Sequence, residues 1–135
     1  MKRKLFSVIL LSFFFSVIYA QNKMPLVGTW KLLNGKMTNN DTTTSYTNTN
    51  ESIKIVTPTH FAVISQHLSD SAFNHTLAGT VKMDAKNYAE EIKYGSAKSF
   101  IGKTAKFTYR LEGDKWYIKG GFDKIIFEEE WQRVQ

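Results

Sequence analysis

The sequence predicts an all-β fold: a single eight-stranded antiparallel barrel of up-and-down connectivity. Three observations carry this reading. The hydrophobic period is two along most of the chain, turn clusters recur at short intervals, and no segment before the last keeps helical periodicity beyond a turn or two. The clearest alternation is Ala105-Lys106-Phe107-Thr108-Tyr109-Arg110-Leu111, where apolar and polar residues exchange without a break. Eight strands in sequence-adjacent hairpins can close on themselves. Closure removes exposed edges and encloses a space wide enough for side chains or one small ligand.

The first twenty residues stand apart from this pattern. Lys2-Arg3-Lys4 forms a positive start, residues 5–18 are almost wholly apolar apart from small serines, and Tyr19-Ala20 precedes Gln21. That is the anatomy of a secretory signal peptide cleaved after Ala20, leaving 21–135 as one domain. The apolar run is shorter than the roughly 18 residues of a spanning helix, so no stable membrane anchor is expected after cleavage. The chain has no cysteine, which excludes disulfides and a lipid-bearing cysteine. The expected location is outside the cytoplasm, periplasmic or secreted.

Cleavage also removes three basic residues and no acid, lowering the formal charge from +6 to +3. The remaining lysines are scattered singly rather than clustered in a stripe, which argues against nucleic acid as a partner. About 115 residues suffice for one domain with a real core.

Strands are expected at 28–37, 52–56, 61–67, 77–83, 88–94, 105–111, 116–119 and 125–134. Glu112-Gly113-Asp114 reads as a hairpin turn, as do Asp84-Ala85-Lys86-Asn87 and Gly120-Gly121-Phe122-Asp123-Lys124. Residues 21–26 and 68–76 have room for short helical turns. Residues 38–50 are dominated by Thr, Asn and Ser, with Tyr46 the one large side chain. They read as a long polar loop, either a solvated connector or a mobile lid at a cavity mouth.

Several segments resemble a known group. Gly28-Thr29-Trp30 on the first strand matches the Gly-x-Trp signature of lipocalins and the wider calycin group, and Arg133 on the last strand sits where that group places a basic partner. The physical logic is a seal: an indole stacked beneath a guanidinium plugs one barrel end, with a cation–π contact of roughly 0.5–2 kcal/mol. Gly28 allows close backbone approach there. Together with Thr57-Pro58-Thr59-His60-Phe61, Tyr88-Ala89-Glu90-Glu91-Ile92 and Glu128-Glu129-Glu130-Trp131-Gln132-Arg133-Val134, the chain resembles the small exported lipocalin-like domains of unknown function common in Bacteroidetes. The resemblance spans about residues 26–134 and implies a calycin barrel, with no common ligand. The chain is shorter than typical lipocalins and has no convincing long C-terminal helix.

Alternation then assigns faces. If Phe107, Tyr109 and Leu111 point inward, the neighbouring inward sets are Tyr88, Glu90, Ile92 and Tyr94, and Ile125, Phe127, Glu129, Trp131 and Arg133. Two acids, Glu90 and Glu129, thus enter the barrel, where an unpaired carboxylate would cost several kcal/mol. The plain reading is an internal network with Tyr88, Tyr94, Tyr109, Arg133 or water. The functional reading is that they orient the polar group of a small apolar or amphipathic ligand whose body lies against Phe61, Val63, Tyr109, Trp116 and Ile118. The expected ligand-binding set is Phe61, Val63, Tyr88, Glu90, Tyr109, Trp116, Ile118 and Glu129, with Gly28, Trp30 and Arg133 closing the barrel.

The histidines have no zinc-type spacing, and neither a metal nor a cofactor is expected. His60 reads as closing the turn after Pro58, His75 as part of a polar loop, and His67 as a rim residue. The sequence contains no nucleophile elbow or phosphate loop, so the expected function is binding rather than catalysis. Two alternatives remain open. One is a small-barrel enzyme of isomerase or dehydratase type, with Glu90 or Glu129 as base and His67 as acid. The other is a secreted protein-interaction module working through 38–50 or the rim. Nothing in the pattern specifies an oligomeric state.

Overall fold

The computed structural model describes residues 24–134, so the expected signal peptide and its cleavage site lie outside the described residues. Nine strands follow one another: β1 (Gly28–Asn39), β2 (Thr42–Ser45), β3 (Asn50–Val56), β4 (His60–His67), β5 (Phe73–Met83), β6 (Asn87–Gly95), β7 (Thr104–Glu112), β8 (Lys115–Phe122) and β9 (Ile125–Arg133). Each of β3 to β9 pairs antiparallel with its sequence neighbour, β1 pairs with β3, and β1 also pairs with β9. The last pairing closes an eight-stranded up-and-down barrel. The ninth strand, β2, is an addition outside the closed ring.

That addition corrects the reading of 38–50 as an unstructured loop. β1 runs on to Asn39, turns through Asn40 in a left-handed conformation, and returns as β2. Asparagine tolerates that conformation, so the polar composition encodes a hairpin. Residues 73–76, read as a possible helical turn, belong to β5, and His75 is therefore on a strand. The glycines at 120 and 121 lie within β8, and the turn beyond them is Asp123-Lys124. A 3-10 turn occupies Lys98–Phe100, where no helical segment was expected.

Three irregularities in the ladders decide which side chains enter the lumen. Leu33 is an extra residue on β1, between the pairs Leu32–Trp131 and Asn34–Glu130. The bulge reverses the alternation, so Trp30 and Leu32 face inward and then Gly35 and Met37. A second bulge at Lys93, between Ala78–Tyr94 and Gly79–Ile92, turns Tyr94 outward, leaving it 69% exposed. Tyr94 was expected to point inward. The third bulge, at Asn74, sets His75 opposite inward-facing Ser65.

One end of the barrel is sealed. Trp30 is fully buried, its indole N–H donates to the carbonyl of Leu26 at 2.8 Å, and the Arg133 guanidinium lies 4.1 Å above its ring. The same guanidinium donates to the carbonyls of Val27 at 2.9 Å and Pro25 at 2.7 Å, tying the lead-in segment across the opening. Gly28 has φ +143°, and a Cβ there would come within 2.5 Å of the guanidinium, so both backbone and space call for glycine. Above this plug, Trp116 meets the rings of Trp30 at 5.2 Å and Tyr88 at 5.1 Å, both edge-on.

This packing predicts that Trp30→Ala destabilises the fold by about 3–5 kcal/mol. Arg133→Ala should cost less. A double-mutant cycle by denaturant unfolding should show coupling of about 0.5–2 kcal/mol, whereas strictly additive losses would mean the stack contributes nothing.

Candidate functional site

The site is built around a buried cation. On β3 the residues facing the lumen are Ser52, Lys54 and Val56. Lys54 is 2% exposed, in the middle of the barrel. Its Nζ lies 2.7 Å from Glu90 Oε1 and 3.9 Å from Glu129 Oε2. Three aromatic faces surround it, those of Trp131, Trp116 and Tyr88 at 4.8, 5.3 and 5.8 Å. An ammonium this deep needs both a counter-charge and polarisable walls, and β3, β6, β8 and β9 supply them together.

Each acid has further donors. Tyr88 donates its hydroxyl to Glu90 Oε1 at 2.9 Å, and the Trp131 indole donates to Glu129 Oε2 at 2.8 Å. Glu129 Oε1 accepts the hydroxyl of Tyr46. Burial, reinforced by the charge of Glu90, holds the Tyr88 phenol well above the usual tyrosine range. Burial and then Glu129 do the same to Tyr46. Each phenol donates to a glutamate oxygen.

Tyr46 reaches this network through a split in the barrel wall. β1 pairs with β3 only from Gly28–Val56 to Lys31–Ile53, and with β2 only from Lys36–Ser45 onward. Between these pairings that edge of β1 has no strand neighbour, and the chain leaving β2 drops Tyr46 into the gap. Its N–H donates to the Gly35 carbonyl at 3.1 Å. Its ring lies over Gly35, where a Cβ would sit 2.4 Å from Cε2. At the rim, Asn50 donates to the Tyr46 carbonyl at 3.1 Å and accepts from Asn74 at 3.0 Å. Asn74 in turn bonds the ring of His75 at 3.2 Å. Burial lowers the His75 pKa, against the opposing pull of Glu129.

The expected site residues divide between the lysine cluster and the packed core. Tyr88, Glu90 and Glu129 converge on Lys54. Phe61, Trp116 and Ile118 are at most 3% exposed and belong to the packed core, which leaves no room for a ligand body beside them without repacking. Val63 is half-buried on the inner face. Tyr109 donates its hydroxyl to the Asp84 carbonyl at 2.7 Å and so fastens the turn between β5 and β6. Of the partners foreseen for the acids, Tyr88 is the one observed; Tyr94 faces outward, and Tyr109 and Arg133 bond elsewhere. The sequence reading missed Lys54 and Tyr46. Lys54 faces inward because it pairs directly with the inward Trp30, a register that the sequence pattern does not set.

His60 closes the turn after Pro58, its backbone bonded to the Thr57 side chain. Two hollows among the described residues open on the outer face of the sheet. One, about 490 Å³, is on the outer face of β7, β8, β9 and β1, beside Lys36, Arg110, Tyr117, Lys119, Glu128 and Glu130. Tyr109, Ile118 and Glu129 also border it, with side chains directed to the other face of the sheet. A second, about 350 Å³, lies against Ile53 and Ile64 on the outer face of β3 and β4.

Lys54→Met leaves Glu90 buried without its counter-charge and should cost about 3–5 kcal/mol, while Lys54→Met combined with Glu90→Leu should recover most of the loss. Equal destabilisation by the single and double replacements, measured by urea unfolding, would overturn the pairing. The tyrosines give a pH signature. Their folded pKa values lie above the unfolded value of about 10, so their contribution is complete below that pH and is lost as pH rises beyond it. Tyr88→Phe should flatten the alkaline fall in stability by up to about 1.4 kcal/mol per pH unit, and an unchanged slope would refute the assignment.

Comparison with known proteins gives little beyond this architecture. No protein-family model matches the chain, and no curated protein sequence does. Among solved structures, a variant of the fluorescent protein UnaG is similar over 82% of this chain and 96% of its own, with 9% identity and a TM-score of 0.44. The fold is a closed eight-stranded antiparallel up-and-down barrel with one added strand.

Proposed function

We propose that the chain is an exported binding protein that takes a small amphipathic molecule into the half of the lumen beyond Lys54. The ligand enters through the split between β1 and β3 as Tyr46 withdraws. The observation that carries this reading is the placement of a costly, buried charged cluster directly beneath a side chain delivered from the exposed strand β2. Buried ion pairs are weak devices for stability, and hydrophobic replacements often serve better. A cluster retained under a removable plug is better suited to receiving polar atoms than to holding the barrel together.

In this reading the polar group of the ligand meets Glu129 and its neighbours. The apolar body lies against Val63, Leu77 and Phe127, which are partly buried and pack on the core. Phe61, Trp116 and Ile118 serve instead as the floor of the site. Export rests on the first twenty residues, with cleavage before Gln21.

Native mass spectrometry of the protein isolated from its source without dialysis tests both parts. The expected result is a chain whose mass begins at Gln21, carrying a noncovalent adduct that is released on denaturation. A mature chain with no adduct overturns lumen carriage. A mass beginning at Met1 overturns cleavage.

A further inference from the structure

The Tyr46 side chain defines what its slot accepts. The slot is one ring deep, because Gly35 contributes no side chain and the Tyr46 ring fills the space where a Cβ would stand. At its inner end is the Glu129 carboxylate, held from the other side by the Trp131 indole. A molecule that displaces Tyr46 removes one of the two donors from Glu129. Unless it brings a donor of its own, it leaves a carboxylate oxygen in the barrel without a partner. A carboxylate or sulfonate ligand brings only acceptors and meets the charges of Glu129 and Glu90.

Formal charge sharpens the choice. Lys54 supplies one positive charge against the two acids, and its Nζ is close to Glu90 and 3.9 Å from Glu129. Glu129 is therefore the acid with capacity for a second cation. The same end of the barrel carries aromatic faces. Phe127, two residues from Glu129 on the inward face of β9, packs with Phe100 and Phe122 at centroid distances of 6.3 and 6.2 Å. Such faces favour organic cations.

We infer that the ligand of this lumen is a flat aromatic compound bearing a cationic amine, its ring in the slot over Gly35 and its ammonium on Glu129. The inference rests on the reading that ligand enters where Tyr46 now sits. In that pose the ammonium N–H replaces the Tyr46 hydroxyl as donor, and the aromatic ring replaces the phenol ring.

The test uses the mature protein, isothermal titration calorimetry and two probes of similar shape, phenethylammonium and 3-phenylpropionate. Phenethylammonium should bind Tyr46→Ala about tenfold or more tighter than wild type, because the slot no longer has to be vacated. Adding Glu129→Gln should reverse that gain, and 3-phenylpropionate should bind neither protein measurably. Should Tyr46→Ala fail to fold, NMR on the wild type serves instead: contacts between the Tyr46 ring and Gly35 should disappear at saturating phenethylammonium. Preference for 3-phenylpropionate, or indifference to Glu129→Gln, overturns the ligand class while leaving lumen binding intact. Failure of both probes to bind any folded form overturns the class and the entry route together.

Discussion

An ammonium inside a closed barrel constrains everything around it. Lys54 cannot reach solvent from the middle of β3, so its charge must be met where it stands. Glu90 arrives from β6, Glu129 and Trp131 from β9, Trp116 from β8 and Tyr88 from β6, all within a few ångströms. A one-residue slip in any of these strands would reverse its side chains and strand the cation among apolar groups, at a cost of several kcal/mol. The network therefore penalises wrong registers, whatever it adds to net stability. Hydrophobic alternation alone would specify the ladders less sharply.

The barrel is divided along its axis. The half nearest Arg133 is a close-packed aromatic core, with Trp30, Trp116, Trp131 and Tyr88 at 1% exposure or less. The other half carries small and polar inward residues, among them Ser52, Ser65 and Gly35, together with half-buried Val63, Leu77 and Phe127. Interiors packed to crystal-like density leave no space between side chains, whereas positions lined by small residues are less completely filled. The bulge at Leu33 creates this division. It turns Gly35 inward opposite Glu129 and, with the loss of pairing to β3, clears the gap that Tyr46 fills.

Much of this was legible before any coordinates. The period-two alternation placed all eight barrel strands, and the turn chemistry of Asp84-Ala85-Lys86-Asn87 and Glu112-Gly113-Asp114 fixed two hairpins. The inward faces of β7 and β9 follow from Phe107, Tyr109 and Leu111, and from Phe127 and Trp131. Alternation fails on β3. There the large apolar residues Ile53 and Ile55 face outward, with Ile55 42% exposed, and the inward face is Ser52, Lys54 and Val56. A rule that maximises inward apolar content picks the wrong side of that strand. Bulges are the other blind spot: Tyr94 shares its parity with Glu90 and Ile92 in the sequence, and an inserted Lys93 sends it to solvent. Tyr46 was hidden differently, since a lone aromatic in a Thr- and Asn-rich stretch carries no periodicity to be read.

The position of Tyr46 outside the closed ring has a mechanical consequence. Withdrawing it breaks its bonds to Glu129, to the Gly35 carbonyl and to Asn50, yet every ladder among the eight barrel strands stays paired. Elements with few buried apolar contacts open at a fraction of the global unfolding free energy, and all four residues of β2 are exposed. The hairpin that carries Tyr46 can thus move while the aromatic half of the barrel keeps its packing. The opposing term is the Glu129 carboxylate, which loses a donor whenever Tyr46 leaves and regains it only when the ring returns or another donor takes its place. Opening and refilling are therefore coupled through Glu129 Oε1, whose hydrogen bond adds to those of Gly35 and Asn50 in holding Tyr46 in the split between β1 and β3.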